Sequence, residues 1–312
     1  MKVVVTGAGG FVGSHIALTL AARGMTVVGA VRNPAKAAFL LPQVQLVAAD
    51  ITDRASLLNA FVGADAIVSN AALGSKQGDL AAMEKVNCDG VRNVLVAAAE
   101  AGVKRVVHIS SVAVYRTRLF VAIDEDAQRT DTTRHRFQWS DLTTDWRYAR
   151  TKTLSEGIAW EVAAAYGLAL TCLRPGPVYG SRDAKATAKL VAAMKRPIHL
   201  APTVGVPWVH AGDVANATAA ALERPLSIGR AYNITGPPVS QHRFLKAMRK
   251  ILGDLGWRRR AVLVPVPVPV VVRFDTRRAE ADLGFVARPF EEGLREALAE
   301  YAHGGAEANI PS

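Results

Sequence analysis

The chain opens with MKVVVTGAGGFVGSHIALTLAARG, and this stretch restricts the fold more than any later one. An apolar run over Lys2–Thr6 reads as a strand. It passes directly into glycines at 7, 10 and 13, and these into an apolar pattern of helical period. A strand, a tight glycine turn and a helix start bring free backbone N–H groups and the positive end of a helix dipole to one point, which suits a phosphate. Gly7 permits the turn, Gly10 lets the backbone approach a pyrophosphate, and Gly13 lets the helix pack close to the sheet. Glycines also mark plain turns, but the strand before and the helix after are the context that a dinucleotide site demands. Thr6, Gly7, Gly10, Phe11, Val12 and Gly13 are therefore candidate cofactor contacts.

The first half of the chain keeps this rhythm. Candidate strands at Thr26–Val31, Gln45–Ala49, Ala66–Asn70, Arg105–Ser110 and Leu168–Leu173 alternate with helical patterns such as GVRNVLVAAAEAG, which stop at glycine. Alternating strand and helix predicts an α/β fold, a Rossmann-type doubly wound parallel sheet covered on both faces. With 312 residues, half of them hydrophobic, a large core is available. After Gly180 the segments shorten and prolines accumulate, as in KRPIHLAPTVGVPWVH. The expected organisation is an NAD(P)-binding domain over 1–180, rejoined by 208–235 with a helix at Ala211–Leu222, and a smaller C-terminal substrate-binding lobe over 181–312. The tail GGAEANIPS is expected to fray.

The end of the second strand, VVGAVRNP, bears on which dinucleotide is bound. An NAD site usually places an acid there for the ribose 2′-OH. This chain has Val31 and then Arg32, whose guanidinium can pair with a 2′-phosphate. NADP is expected, with NAD still open; a merely solvated Arg32 is the alternative. Asp50 and Ile51 follow the third strand, where the acid either meets the adenine amino group or caps the next helix. The two cysteines, Cys88 and Cys172, have no ligand spacing, so no metal site or disulfide framework is indicated. There is no leader pattern, and the apolar AVLVPVPVPVVV (261–272) is too short for a bilayer, so a cytoplasmic protein without a membrane partner is expected. The net charge of +11 is spread apart from the cluster Arg258, Arg259 and Arg260, which reads as a solvated basic surface rather than a nucleic-acid face.

Further stretches carry a family likeness: AADI (48–51), NAAL (70–73), VNCDGVRNVLVAAAEAGVKRVVHISSVAVY (86–115), YARTK (148–152), LRPGPVYG (173–180), WVHAGDVANA (208–217) and DLGFVARPFEEGL (282–294). With TGAGGFVG (6–13), in this order and over nearly the whole chain, they resemble the extended short-chain dehydrogenases/reductases. That group includes nucleotide-sugar epimerases, dihydroflavonol reductases and 3β-hydroxysteroid dehydrogenases. The resemblance implies acid/base catalysis by Ser111, Tyr148 and Lys152, with Ser110 the neighbouring alternative to Ser111. It gives Asn87 a structural role, puts Asn70, Ala71 and Ala72 along the cofactor, and puts Pro175 and Val178 beside the nicotinamide. It also implies a homodimer through helices near 87–101 and 149–166. A free tyrosine titrates near pH ~10. An ammonium one helical turn away favours the phenolate, so Lys152 is expected to lower the Tyr148 pKa and to reach the nicotinamide ribose.

Three features depart from the family pattern. Where nucleotide-sugar enzymes carry a diphosphate-binding arginine, this chain has Val206 or Pro207 in TVGVPWVH. Where dehydratases carry Thr-Asp-Glu, it has SVAVY. The insertion 116–147, with Phe137, Trp139, Trp146 and His135, is longer than usual; it forms either a specificity lid or a polar surface excursion whose tryptophans pack locally. The expected function is therefore NADP-preferring interconversion of a carbonyl and a secondary alcohol on a mainly apolar or aromatic small molecule. The competing readings are a nucleotide-sugar epimerase or dehydratase, and a non-catalytic NADP-sensing or RNA-associated member of the fold.

Overall fold

The computed structural model describes residues 1–74, 77–118, 121–135, 145–183, 186–257 and 261–304. Phe137, Trp139, the cluster Arg258, Arg259 and Arg260, and the tail beyond Gly304 lie outside these residues. Seven strands form the central sheet: β1 (Lys2–Thr6), β2 (Thr26–Val31), β3 (Gln45–Ala48), β4 (Ala66–Ser69), β5 (Arg105–Ile109), β6 (Ala169–Pro175) and β7 (Ala231–Ile234). Their spatial order is β7-β6-β5-β4-β1-β2-β3, and every neighbouring pair is parallel. Val4 at the centre pairs with Val28 on one side and Ile67 on the other. A parallel strand buried on both faces has no reason to alternate polar and apolar residues. The run Val3–Val4–Val5 is accordingly fully buried throughout.

Among the described residues, ten α-helices surround and extend the sheet: α1 (Phe11–Ala22), α2 (Arg54–Phe61), α3 (Leu80–Glu84), α4 (Gly90–Glu100), α5 (Trp146–Tyr166), α6 (Ala186–Ala193), α7 (Ala211–Glu223), α8 (Gln241–Asp254), α9 (Arg277–Leu283) and α10 (Phe290–Leu298). A π turn, Lys85–Asp89, joins α3 to α4. On one face, Ile16 and Leu20 of α1 meet Val214, Ala215 and Ala219 of α7. The alanines of AGDVANATAAALE keep α7 thin, so ten of its thirteen residues are buried against its neighbours. On the other face, Leu57 and Phe61 of α2, Val94 and Leu95 of α4, and Ala159 and Val162 of α5 share a second core. No helix among the described residues is long and apolar enough to cross a membrane.

Residues after Gly180 build a third cluster, with Met194, Phe244, Met248, Leu252, Trp257 and Leu298 at its centre. Short two-stranded ribbons connect it to the sheet. Val178–Tyr179 runs parallel to Val209–His210, and Gly205–Val206 antiparallel to Val239–Ser240. Ile198–Pro202 lies parallel to Val262–Val266, and Ala122–Ile123 parallel to Arg273–Phe274. α7 packs beside α1, and β7 pairs with β6 as an edge strand of the sheet.

Candidate active site

The strand order reverses between β1 and β4, and open parallel sheets bind ligands beyond the carboxyl ends of strands at such a switch point. A cleft of about 1740 Å³ opens there. Its floor is the glycine turn. Gly7 has φ +67°, and a Cβ on it would sit 2.9 Å from Ala71 Cα. A Cβ on Gly13 would sit 2.2 Å from the Gly7 carbonyl oxygen and 2.7 Å from Asn70 Nδ2. Asp53, Asp79, Asp145 and Ser240 cap α2, α3, α5 and α8 with their side chains. α1 starts at Gly10, which has no side chain to do so. Its first N–H groups face the cleft lined by Gly10, Phe11, Val12 and Gly13, a backbone cradle that fits a phosphate.

Thr6 fixes the wall beside this cradle. Its hydroxyl accepts from Asn70 N at 3.0 Å and Ala71 N at 3.2 Å, and donates to Val68 O at 3.3 Å. Asn70, Ala71 and Ala72 continue along the cleft. Asn87, in the π turn, holds the same loop: it accepts from Leu73 N at 2.8 Å and donates to Leu73 O at 3.1 Å and Thr151 Oγ1 at 3.1 Å. Arg32 is exposed on the rim, and Lys36, one turn further on, lines the same rim. Lys36 was not singled out from the sequence; its signal is a cation four residues after Arg32. Asp50 lines the cleft too, but its Oδ1 accepts from Thr52 N and Thr52 Oγ1, both at 2.8 Å, while Asp53 caps α2. Burial works against the Asp50 charge, and the Thr52 bonds and Arg32 hold its pKa below the usual value. Ile51 packs where a Cβ on Gly90 would come within 2.6 Å.

The residues expected to act on substrate meet at the end of β5. Ser111, Tyr148, Lys152, Pro175 and Val178 all line the cleft. The Ser111 side chain stands beside the half-buried Tyr148 phenol and favours its ionised form, and its Oγ accepts from Ala113 N at 3.1 Å, capping a 3-10 turn. Ser110 is different: its hydroxyl donates to Glu156 Oε2 at 2.6 Å, away from Tyr148. Lys152 is buried and donates from Nζ to Ile109 O at 2.8 Å. Burial brings its pKa down to about 8, opposed by the Glu156 carboxylate. The Tyr148 phenol does not follow the expected lowering. Burial raises its pKa, opposed only in part by the neighbouring Ser111 hydroxyl.

Behind this triplet lies a charged network that the sequence did not disclose. Arg174 of β6, only 2% exposed, donates from Nη2 to Glu156 Oε1 at 2.6 Å and from Nε to Oε2 at 3.0 Å. It also reaches Tyr115 Oη at 2.5 Å and Glu125 O at 2.9 Å. Burial opposes the Glu156 charge, but Arg174 and Arg129 hold the carboxyl far below its ordinary range. Tyr115 donates to Asn233 Oδ1 at 2.7 Å, linking the network to β7. No spacing rule connects residues 115, 156, 174 and 233.

The outer wall is apolar: Val204, Val206, Trp208, Val268, Val270, Val272 and Phe274 line it, with Pro207 beside them. The described part of the insertion is well tied down. Ala122–Ile123 pairs with Arg273–Phe274, and Thr117 and Ile123 line the cleft. Trp146 donates to Asp131 O at 3.3 Å and lies with its ring 5.2 Å from that of the exposed His135. Cys88 and Cys172 are buried free thiols, and no cluster of metal-ligating side chains occurs among the described residues.

Comparison with known proteins decides the family. The NAD dependent epimerase/dehydratase family matches residues 3–235. The chain belongs to that family. It is an extended short-chain dehydrogenase/reductase, similar to cinnamoyl-CoA reductase 1 of Oryza sativa subsp. japonica, with 31% identity over 95% of this chain and 89% of that one. It is also similar to 3beta-hydroxysteroid-dehydrogenase/decarboxylase isoform 2 of Arabidopsis thaliana, at 25% identity over 96% of this chain and 62% of the other. The fold is shared with the dTDP-glucose 4,6-dehydratase DesIV from Streptomyces venezuelae, solved with NAD and TYD bound (TM-score 0.78, 23% identity, 96% of this chain and 97% of that one). Val206 and Pro207 put apolar side chains on the cleft wall.

Proposed function

We propose that the protein is a nicotinamide-dependent oxidoreductase that interconverts a carbonyl and a secondary alcohol on a mainly apolar or aromatic small molecule, preferring NADP to NAD. The observation that carries this reading is that Ser111, Tyr148 and, one turn along α5, Lys152 line the same cleft as the glycine cradle. The cradle with Thr6, Asn70, Ala71 and Ala72 would hold the dinucleotide. Asp50 and Ile51 would border its adenine, Pro175 and Val178 its reactive ring, and Arg32 with Lys36 a 2′-phosphate. When bound, the nicotinamide supplies or accepts the hydride.

The chain's own residues supply position and protons. Ser111 donates its hydroxyl to the substrate oxygen and holds it against Tyr148. A phenol whose pKa is raised by burial stays protonated at neutral pH, the state needed to protonate the oxygen of a carbonyl being reduced. Lys152 has three N–H donors and uses one on Ile109 O; the other two remain for a ribose hydroxyl and the developing phenolate. The valine-lined wall excludes water and offers nothing to a sugar diphosphate. The names of the similar reductase and dehydrogenase support the same reaction class. The proposal includes a homodimer through the outer faces of α4 and α5, which light scattering tests.

The deciding experiment follows NADPH and NADH oxidation over a panel of ketones, aldehydes and 4-keto sugars, with Tyr148→Phe as the blank. The expected result is NADPH-dependent turnover of apolar carbonyls that Tyr148→Phe abolishes while binding NADPH as before. Turnover confined to keto sugars, or loss of cofactor binding in Tyr148→Phe, would overturn the reading.

A further inference from the structure

Three consecutive residues at the end of β5 each meet a different position on α5. Ile109 O accepts from Lys152 Nζ at 2.8 Å. Ser110 Oγ donates to Glu156 Oε2 at 2.6 Å. Ser111 stands beside the side chain of Tyr148 in the cleft. Residues 148, 152 and 156 are four apart and so share one face of the helix. Two of the three helix partners belong to the proposed chemistry; Glu156 does not.

We infer that Glu156 is a positioning residue for the reaction, which through Ser110 sets where the Ser111 hydroxyl stands against the Tyr148 phenol. The inference rests on the acid/base reading of Ser111 and Tyr148 given above. Glu156 is suited to this task because it cannot move. It is 1% exposed, and both carboxylate oxygens are engaged by Arg174, itself anchored on Tyr115 and Glu125 O. Arg129 adds a third charged bond at 2.7 Å. Arg174 sits on β6, next to β5 in the sheet, so Glu156 locks α5 to the sheet at a fixed register. The Ser110 hydroxyl then ties the tip of β5 to that locked point by a short bond to a carboxylate, the stronger kind of hydrogen bond. The Arg174–Glu156 pair does not need Ser110 in order to hold the fold. The added bond fixes the residue immediately before Ser111.

Ser110→Ala removes this bond and leaves the Arg174–Glu156 pair intact. The expected result is a kcat about tenfold or more below wild type, as for a mispositioned catalytic group, with the KM for the dinucleotide unchanged. In the ligand-free protein, backbone amides of residues 109–115 should exchange about tenfold faster, with β1 unaffected. Ser110→Thr keeps the hydroxyl and should restore both. Glu156→Gln, which risks the fold, is read beside it and should lower kcat in the same sense. Wild-type kcat and exchange in Ser110→Ala, with Tyr148→Phe inactive, would overturn the positioning role and leave the acid/base reading standing. Parallel loss of kcat, cofactor binding and thermal stability would assign Ser110 to the fold alone and equally overturn it. A Tyr148→Phe protein that still turns over removes the acid/base reading instead, and the exchange measurement then decides alone whether Ser110 holds the strand end.

Discussion

Replacing Gly13 by alanine puts a methyl group where the fold has no room, and the two consequences of doing so separate. The new Cβ would lie 2.2 Å from the Gly7 carbonyl oxygen, whereas such contacts stay above 3.0 Å, so that carbonyl must retreat by the difference, 0.8 Å. Overpacking of this kind costs about 1–3 kcal/mol. Alanine regains about 1 kcal/mol of helix propensity over glycine, which leaves a net cost of roughly 0–2 kcal/mol. At ~2.1 cal/mol/K per residue, a chain of this length loses at most about 3 °C in Tm. Ligand binding suffers more, because losing one hydrogen bond to a charged phosphate, about 1.5–3 kcal/mol, costs on the order of 10- to 100-fold in affinity. Titration of NADPH by its fluorescence, beside a thermal melt, reads both. Gly157→Ala is the matched control: it lies in α5, its Cβ would meet nothing within 4 Å, and it should gain up to about 1 kcal/mol with affinity unchanged. A Gly13→Ala protein that binds NADPH as tightly as wild type refutes the phosphate cradle and leaves a plain structural turn.

Other substitutions probe separate parts of the molecule. Arg32→Ala should weaken NADPH by about tenfold or more, the scale of a charge-assisted bond, and NADH far less; equal losses in a binding titration would remove the 2′-phosphate assignment. Glu156→Gln leaves Arg174 buried without its counter-charge and should cost about 3–5 kcal/mol, read by denaturant unfolding. The folded pKa of Glu156 is depressed, so its contribution is complete above the unfolded value of about 4.3 and is lost as pH falls below it. Wild-type stability should therefore decline more steeply in acid than that of Glu156→Gln. Burial pushes the Cys88 thiol up to about 11 and the Cys172 thiol well above its ordinary value, so both should resist thiol reagents at pH 8 until the protein unfolds.

What the sequence disclosed follows from what is local. Strands β1 to β6 were legible because buried parallel strands are unbroken runs such as VVV and AIVS, and β1 and β2 begin and end where the pattern does. β7 reads AYNI, and its Asn233 is buried only because Glu125, Ile123 and Asp275 from distant segments satisfy it, so no local pattern marks it as a strand. The spacing of Tyr148 and Lys152 put both on one helical face, but the bond that turns Lys152 toward Ile109 O depends on where β5 ends. Likewise, nothing local in the sequence pairs Ser110 with Glu156, 46 residues further on.

The ribbon at Val262–Val266 carries a consequence for solubility. Val262 donates to Pro197 O and Val268 to Thr203 Oγ1, so even-numbered residues aim their N–H groups at the partner strand. Backbone direction alternates along a strand, which leaves Leu263 and Pro265 of Val262–Val266 facing outward, and Pro267 and Pro269 follow where the strand has ended. Ile198, Leu200, Val262 and Val264 are exposed on the same ribbon, a sticky edge by composition. Pro265 removes one of the strand's two outward donors and the prolines behind it keep the edge from lengthening, which makes the ribbon a poor template for another strand. The prolines thus let the protein expose an apolar ribbon with less risk that its own copies stack there into fibres.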